Sequence, residues 1–132
     1  MPLAYLDHVN LRTAHIARMI EFYSEVLGLR SGPRPAFPFG GAWLYCGERA
    51  VIHLVEVAEQ PTPSGELRME HFAFVARDFD EFVQQLDAAG IEYRSSKLLG
   101  SETRQLNLRD PDGNRVHIDF PERLAVATHL AK

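Results

Sequence analysis

Short runs of alternating apolar and polar residues and two longer runs at helical spacing divide the chain into elements. Over residues 5–11, Leu6, His8 and Asn10 fall on one face and Val9 and Leu11 on the other, which is the period of a half-buried strand. Ile16, Met19, Ile20, Tyr23, Val26 and Leu27 then recur at helical spacing. Thr13 is placed to cap the start of that helix and Gly28 to close it in a left-handed turn. A second strand begins at 29–33. Residues 34–41, with two prolines, two glycines, Phe37 and Phe39, read as a breaker-rich loop, and 42–46 and 50–57 as a hairpin around Gly47-Glu48-Arg49. The first half is therefore predicted as βαβββ, covering about residues 4–57.

A Pro- and Gly-containing linker, residues 58–68, precedes a second copy of the plan over about 69–120. Residues 70–75 predict a strand. Asp78 predicts an N-cap, with Glu81 placed to complete a capping box, and Phe79, Phe82, Val83 and Leu86 form the apolar stripe of a helix ending at Gly90. Strands follow at 91–95, 103–108 and 115–120, the last entered through Asp110-Pro111-Asp112-Gly113, whose Pro and Gly suit a type I turn. Alternation puts His117 and Asp119 on one face of that strand. Four histidines keep the register of the duplication: His8 to His53 is 45 positions, His71 to His117 is 46, and the copies are offset by 63 and 64. Gly28-Leu29 and Gly90-Ile91, 62 apart, follow the same step. A tail, 121–132, is apolar enough to be helical.

Composition narrows the options. At 132 residues and 45% hydrophobic the chain can bury one sizeable core, whereas each half alone is small for that. A net charge of -4 and no Lys/Arg run exclude a nucleic-acid partner. Neither a membrane span nor a signal peptide is visible, and the single Cys46 cannot form an intrachain disulfide, so a cytoplasmic location is expected.

Asp7-His8-Val9, Glu21-Phe22-Tyr23 through Val26-Leu27-Gly28-Leu29, Glu70-His71-Phe72, and the Asp110-Pro111-Asp112-Gly113 turn with its following strand are the motifs through which the chain resembles the vicinal oxygen chelate superfamily of glyoxalases, fosfomycin- and bleomycin-resistance proteins and extradiol dioxygenases. The resemblance implies an α+β fold of two tandem βαβββ modules forming an incomplete barrel around a metal site, with one ligand from the first and last strand of each module. Carried across by position, those ligands are His8, His53, His71 and His117. Glyoxalase-like members have Glu at the place of His117 and often Glu or Gln at the place of His53, so an all-imidazole set departs from the pattern. Relatives of this length also commonly dimerise.

A lone strand histidine is usually a satisfied structural residue, but four at repeated positions point to a cation, and imidazole suits Zn, Ni or Fe(II) rather than Mg or Ca. Losing the metal-bound Glu removes the family's proton shuttle. Asp119 is the nearest substitute, as catalytic base or as a carboxylate that orients a ligand. Asn10, Phe37, Phe39, Trp43 and Arg109 are the candidate contacts for a small-molecule substrate, the aromatics as an apolar wall and the arginine for a carboxylate. His15 and His129 lie outside the repeat and are assigned to the surface. Three functions compete: a metal-dependent lyase or isomerase working through an enolate, an Fe(II)-dependent extradiol-type dioxygenase, and a drug-sequestering protein needing no metal.

Overall fold

A computed structural model describes residues 2–62 and 68–122 as two compact units, divided between Thr62 and Pro63. The first unit runs β1 (Val9–Thr13), α1 (Ile16–Glu21), a π-helical turn (Phe22–Val26), β2 (Arg30–Gly32), β3 (Gly41–Cys46) and β4 (Arg49–Glu56). The second runs β5 (His71–Val75), α2 (Phe79–Ala88), β6 (Tyr93–Lys97), β7 (Arg104–Arg109) and β8 (Arg115–Phe120). Each is the βαβββ module read from the sequence. The sheets are open and have the same order, β1-β4-β3-β2 and β5-β8-β7-β6, with the first and last strands of each module parallel and the remaining pairs antiparallel.

The two faces of each sheet differ in chemistry. In the first unit Ala42, Leu44, Ile52 and Leu54 are buried on the face that receives α1, together with Met19, Phe22 and Tyr23. In the second, Leu106, Leu108, Val116, Ile118 and Phe120 are buried with Leu86, and Phe79 and Phe82 of α2 meet the Phe120 ring edge-on at 5.2 and 5.5 Å. Each large aliphatic side chain so buried stabilises its unit by roughly 1.5–3 kcal/mol. Period-two alternation then sends every intervening residue to the opposite face, where the repeated histidines stand.

Several local expectations shift. The first strand begins at Val9 rather than residue 5 and runs on to Thr13, because its pairing with β4 starts at Val9 opposite Ile52 and ends at Thr13 opposite Glu56. Thr13 therefore ends a strand and His15 occupies the N-cap. The Thr13 hydroxyl still accepts a hydrogen bond from the His15 amide at 2.9 Å, which turns the chain into the helix. Asp78 does cap α2, but the capping box does not form: its backbone is left-handed (φ 64°) and its side chain makes no cap hydrogen bond. Gly28 and Gly90 end their helical segments at φ 79° and 71°, where a Cβ would be strained. In the final turn the Gly113 amide donates to the Asp110 carbonyl. The buried Asp110 carboxylate accepts from the Asp112 and Asn114 amides and from the Asn114 side chain, fixing the entry to β8. The expected tail helix, from residue 123 on, and His129 lie outside the described residues, as do residues 63–67 of the linker. Among the described residues no helix is long and apolar enough to cross a membrane.

Candidate metal centre

Strand register builds the second unit's site in rows. On the face away from the core, His71, Arg115 and Arg109 are cross-strand neighbours, followed by Ala73, His117, Asn107 and Arg94, and then Val75, Asp119, Gln105 and Ser96. The His71 and His117 rings stack with centroids 3.7 Å apart and planes 13° from parallel. His71 Nδ1 lies 3.2 Å from Glu70 Oε1, so that with Nδ1 as donor the carboxylate orients the ring and leaves Nε2 as its lone-pair nitrogen. Glu70, His71 and His117 each bring one ligand atom to within 4.8 Å of the others.

The first unit repeats the pair. His8 stacks on His53 at 3.8 Å and 13°, and His8 Nδ1 lies 2.7 Å from Asp7 Oδ2. The carboxylate just before the first histidine therefore recurs in both modules. His53 differs from His117 in being buried and in donating through Nε2 to the Ala50 carbonyl at 3.0 Å, the assignment an acceptor carbonyl requires. Its other face lies on Trp43, at 4.0 Å and 8°. Beyond Trp43 the column continues to Phe37 at 6.4 Å and on to Phe39, stacked on Phe37 at 4.9 Å. The Arg34 guanidinium lies over both phenyl rings and donates to the Phe39 carbonyl at 3.0 Å.

Protonation favours ligation. Burial is the main cause that pushes His117 below the usual 6.5, helped by the charge of His71, against the pull of Asp119 and Glu70. Burial likewise lowers His53, followed by His8, while the Ala50 hydrogen bond and Asp7 act the other way. Both rings are thus held in the neutral form that binds a metal at neutral pH. The donor set of two imidazoles and a carboxylate suits a borderline transition-metal ion.

The four histidines predicted from the repeat are thus brought together as two stacked pairs, one in each unit. Asn10 is the cross-strand neighbour of His53, and Phe37, Phe39 and Trp43 form one aromatic column with it. Asp119 shares the His117 face and accepts a 2.7 Å hydrogen bond from Gln105 Nε2. Arg109 lies beside Arg115 and donates to the Gly113 carbonyl. Glu70 was missed as a site residue. The signal was present, since an acid directly precedes the first histidine of both copies, at Asp7 and Glu70.

Duplicated βαβββ sheets that each carry a stacked histidine pair on one face define a two-module protein. The chain belongs to the Glyoxalase/Bleomycin resistance protein/Dioxygenase superfamily, whose family model matches residues 5–118. It is 30% identical over 119 residues to the glutathione transferase FosA of Serratia marcescens, spanning 88% of this chain and 80% of that one. A solved structure assigned to the glyoxalase family from Bacillus anthracis is 27% identical, with a TM-score of 0.78 over 91% of this chain and 97% of its own. The antibiotic-binding protein TnmS3 of a Streptomyces species, 19% identical with a TM-score of 0.65 over 92% and 99% of the two chains, shares the fold.

Proposed function

We propose that this chain is a divalent-metal-dependent enzyme that engages neighbouring oxygens of a small organic substrate and carries out lyase, isomerase or transferase chemistry. The observation that carries this reading is the convergence of Glu70, His71 and His117 ligand atoms within 4.8 Å. His71 and His117 are the proposed ligands of the second module, and His8 and His53 their counterparts in the first. When bound, a divalent ion supplies Lewis-acid stabilisation of negative charge developing on a substrate oxygen. Asp119 is the proposed proton acceptor: it shares the sheet face of His117, and Gln105 holds one of its oxygens, leaving the other to take a proton. Trp43, Phe37 and Phe39 offer flat apolar contact, and Asn10 and Arg109 polar contact, to the substrate. Kinship with a glutathione transferase supports the transferase variant, in which a thiol is the incoming group.

A second reading rests on the same cluster. Two histidines and one carboxylate make up the ligand triad of non-haem Fe(II) oxygenases, which favours oxygen-dependent cleavage of a catechol-type substrate as the alternative. A homodimer and a cytoplasmic location, with Cys46 as an exposed free thiol, belong to the proposal.

Metal analysis of tag-free protein tests the reading. Stoichiometric uptake of Zn, Ni or Fe(II) is expected, and it should be lost in His71→Ala with the fold intact by circular dichroism. Uptake in both His71→Ala and His117→Ala unchanged from the parent protein would remove the site. Oxygen consumption by the Fe(II)-loaded protein with catechols, against anaerobic turnover with Zn or Ni, separates the two readings.

A further inference from the structure

A cavity of about 870 Å³ opens in the second unit beside His117, and its wall carries three guanidinium groups, Arg94, Arg109 and Arg115, together with Asn107. They come from three adjacent strands. Register puts Arg94, Asn107 and His117 in one row and Arg109 and Arg115 in the next, so the clustering follows from the sheet rather than from a loop.

The arginines are under-used by the protein. The Arg94 guanidinium makes no hydrogen bond or ion pair among the described residues, the residue being held through its backbone in β6. Arg115 has a buried Nε without a partner, and only a long 3.6 Å approach of one terminal nitrogen to Glu70 Oε1. Arg109 spends a single N–H on the Gly113 carbonyl. Two carboxylates also border the cavity, but Asp87 is engaged by the Tyr93 hydroxyl at 2.8 Å, which leaves Glu92 as the only other acid there. A buried donor without an acceptor is costly, and guanidinium forks match the paired oxygens of carboxylate and phosphate groups.

The geometry points to an oxyanion-binding subsite, in which Arg94 and Arg115 grip the carboxylate or phospho group of the substrate and Arg109 adds charge. This deepens the metal-enzyme reading, because His117 lines the cavity, and makes the substrate a small organic acid or phosphorylated compound. The subsite itself needs no metal.

The test uses metal-stripped, dialysed full-length protein at low ionic strength. Inorganic phosphate and malonate are titrated in separately, followed by calorimetry and amide NMR shifts. Saturable binding of at least one is expected, and the preferred probe tells a phospho group from a carboxylate. Arg94→Gln should weaken it about tenfold, the loss of one charge-assisted contact, with an unchanged melting temperature, because the Arg94 guanidinium has no partner among the described residues. Arg115→Gln should do the same, and Arg94→Lys should restore part of the affinity. His71→Ala, which decides the metal reading, does not line the cavity and should bind the anion as the parent does, so the two ideas fail separately. The subsite is overturned if neither anion saturates, or if both Arg94→Gln and Arg115→Gln bind as the parent protein does.

Discussion

The two modules place the same histidine pair at the start of the first strand, His8 just before β1 and His71 opening β5, and on the last strand, and surround it differently. His53 faces Trp43 across the sheet, whereas His117, at the equivalent point, faces Asn107. Around the first pair the neighbours are aromatic, and around the second they are Asp119, Gln105 and a group of arginines. Cross-strand partners are the unit of sheet packing, so one such exchange changes solvation, charge and hydrogen bonding without disturbing the backbone. The duplication keeps the stacked histidine pair while the two walls differ, one apolar and one cationic.

The largest effect should separate the modules by metal affinity. His117 has Glu70 and His71 beside it, whereas His53 has already committed Nε2 to the Ala50 carbonyl. His117→Ala should therefore cost at least about 100-fold in metal affinity and His53→Ala markedly less, with Glu70→Gln between them at about 10-fold, as for loss of a group that orients a ligand. Competition with a chromophoric chelator measures all three. Equal losses at His53 and His117 would make the modules alike at the metal.

Stability should rank the modules the other way. Trp43→Ala removes an indole that stacks on His53 and meets Phe37 at a tilt, and because the residue is half-buried the cost should be about 2 kcal/mol, below the range for a fully buried Trp. Asn107→Ala removes a half-buried amide with no hydrogen bond of its own among the described residues and should cost under about 0.5 kcal/mol. Urea unfolding of both variants gives the difference. If Asn107→Ala proved the more damaging, the apolar wall would not be the stabilising one.

Asp119→Asn tests the polar wall directly. Metal uptake should hold while kcat falls at least about 100-fold with KM little changed, the pattern of a lost proton acceptor. A carboxylate that only orients His117 would instead lower metal affinity.

Most of this architecture was legible in the chain because burial on one sheet face imposes a strict period of two. The strand at Arg115–Phe120 and the terminating glycines follow from that period and from turn chemistry. What escaped was set by tertiary pairing. β1 extends to Thr13 because β4 offers partners that far, and Asp78 abandons its cap bond because its backbone is left-handed. At the site, the repeat exposed the histidines. The partners across the sheet were hidden, since Asn107 and Arg94 join His117 only once strand register is known. Glu70 carried a signal in the repeated acid–histidine step, but strand alternation alone would send it to the opposite face from His71; it stands just before β5, outside that alternation.

The smallest expected effect is on pH dependence, where the modules should behave alike. Folding lowers the pKa of both His53 and His117, chiefly by burial, so below pH 6.5 the unfolded chain takes up protons that the native rings resist. Stability of the metal-free protein should be full above that value and decline as pH falls through it towards the folded-state pKa. The decline should be modest, because Asp7 near His53, and Asp119 and Glu70 near His117, partly offset the cost of charging the rings. Urea midpoints between pH 7.5 and 5.5, above the range where most carboxylates titrate, isolate this contribution. His53→Leu and His117→Leu should each flatten part of the slope, and the double variant most of it. A parent protein whose midpoint stays level across that interval would show that neither ring is held neutral by its surroundings, and the shared electrostatic design of the two pairs would have to be given up.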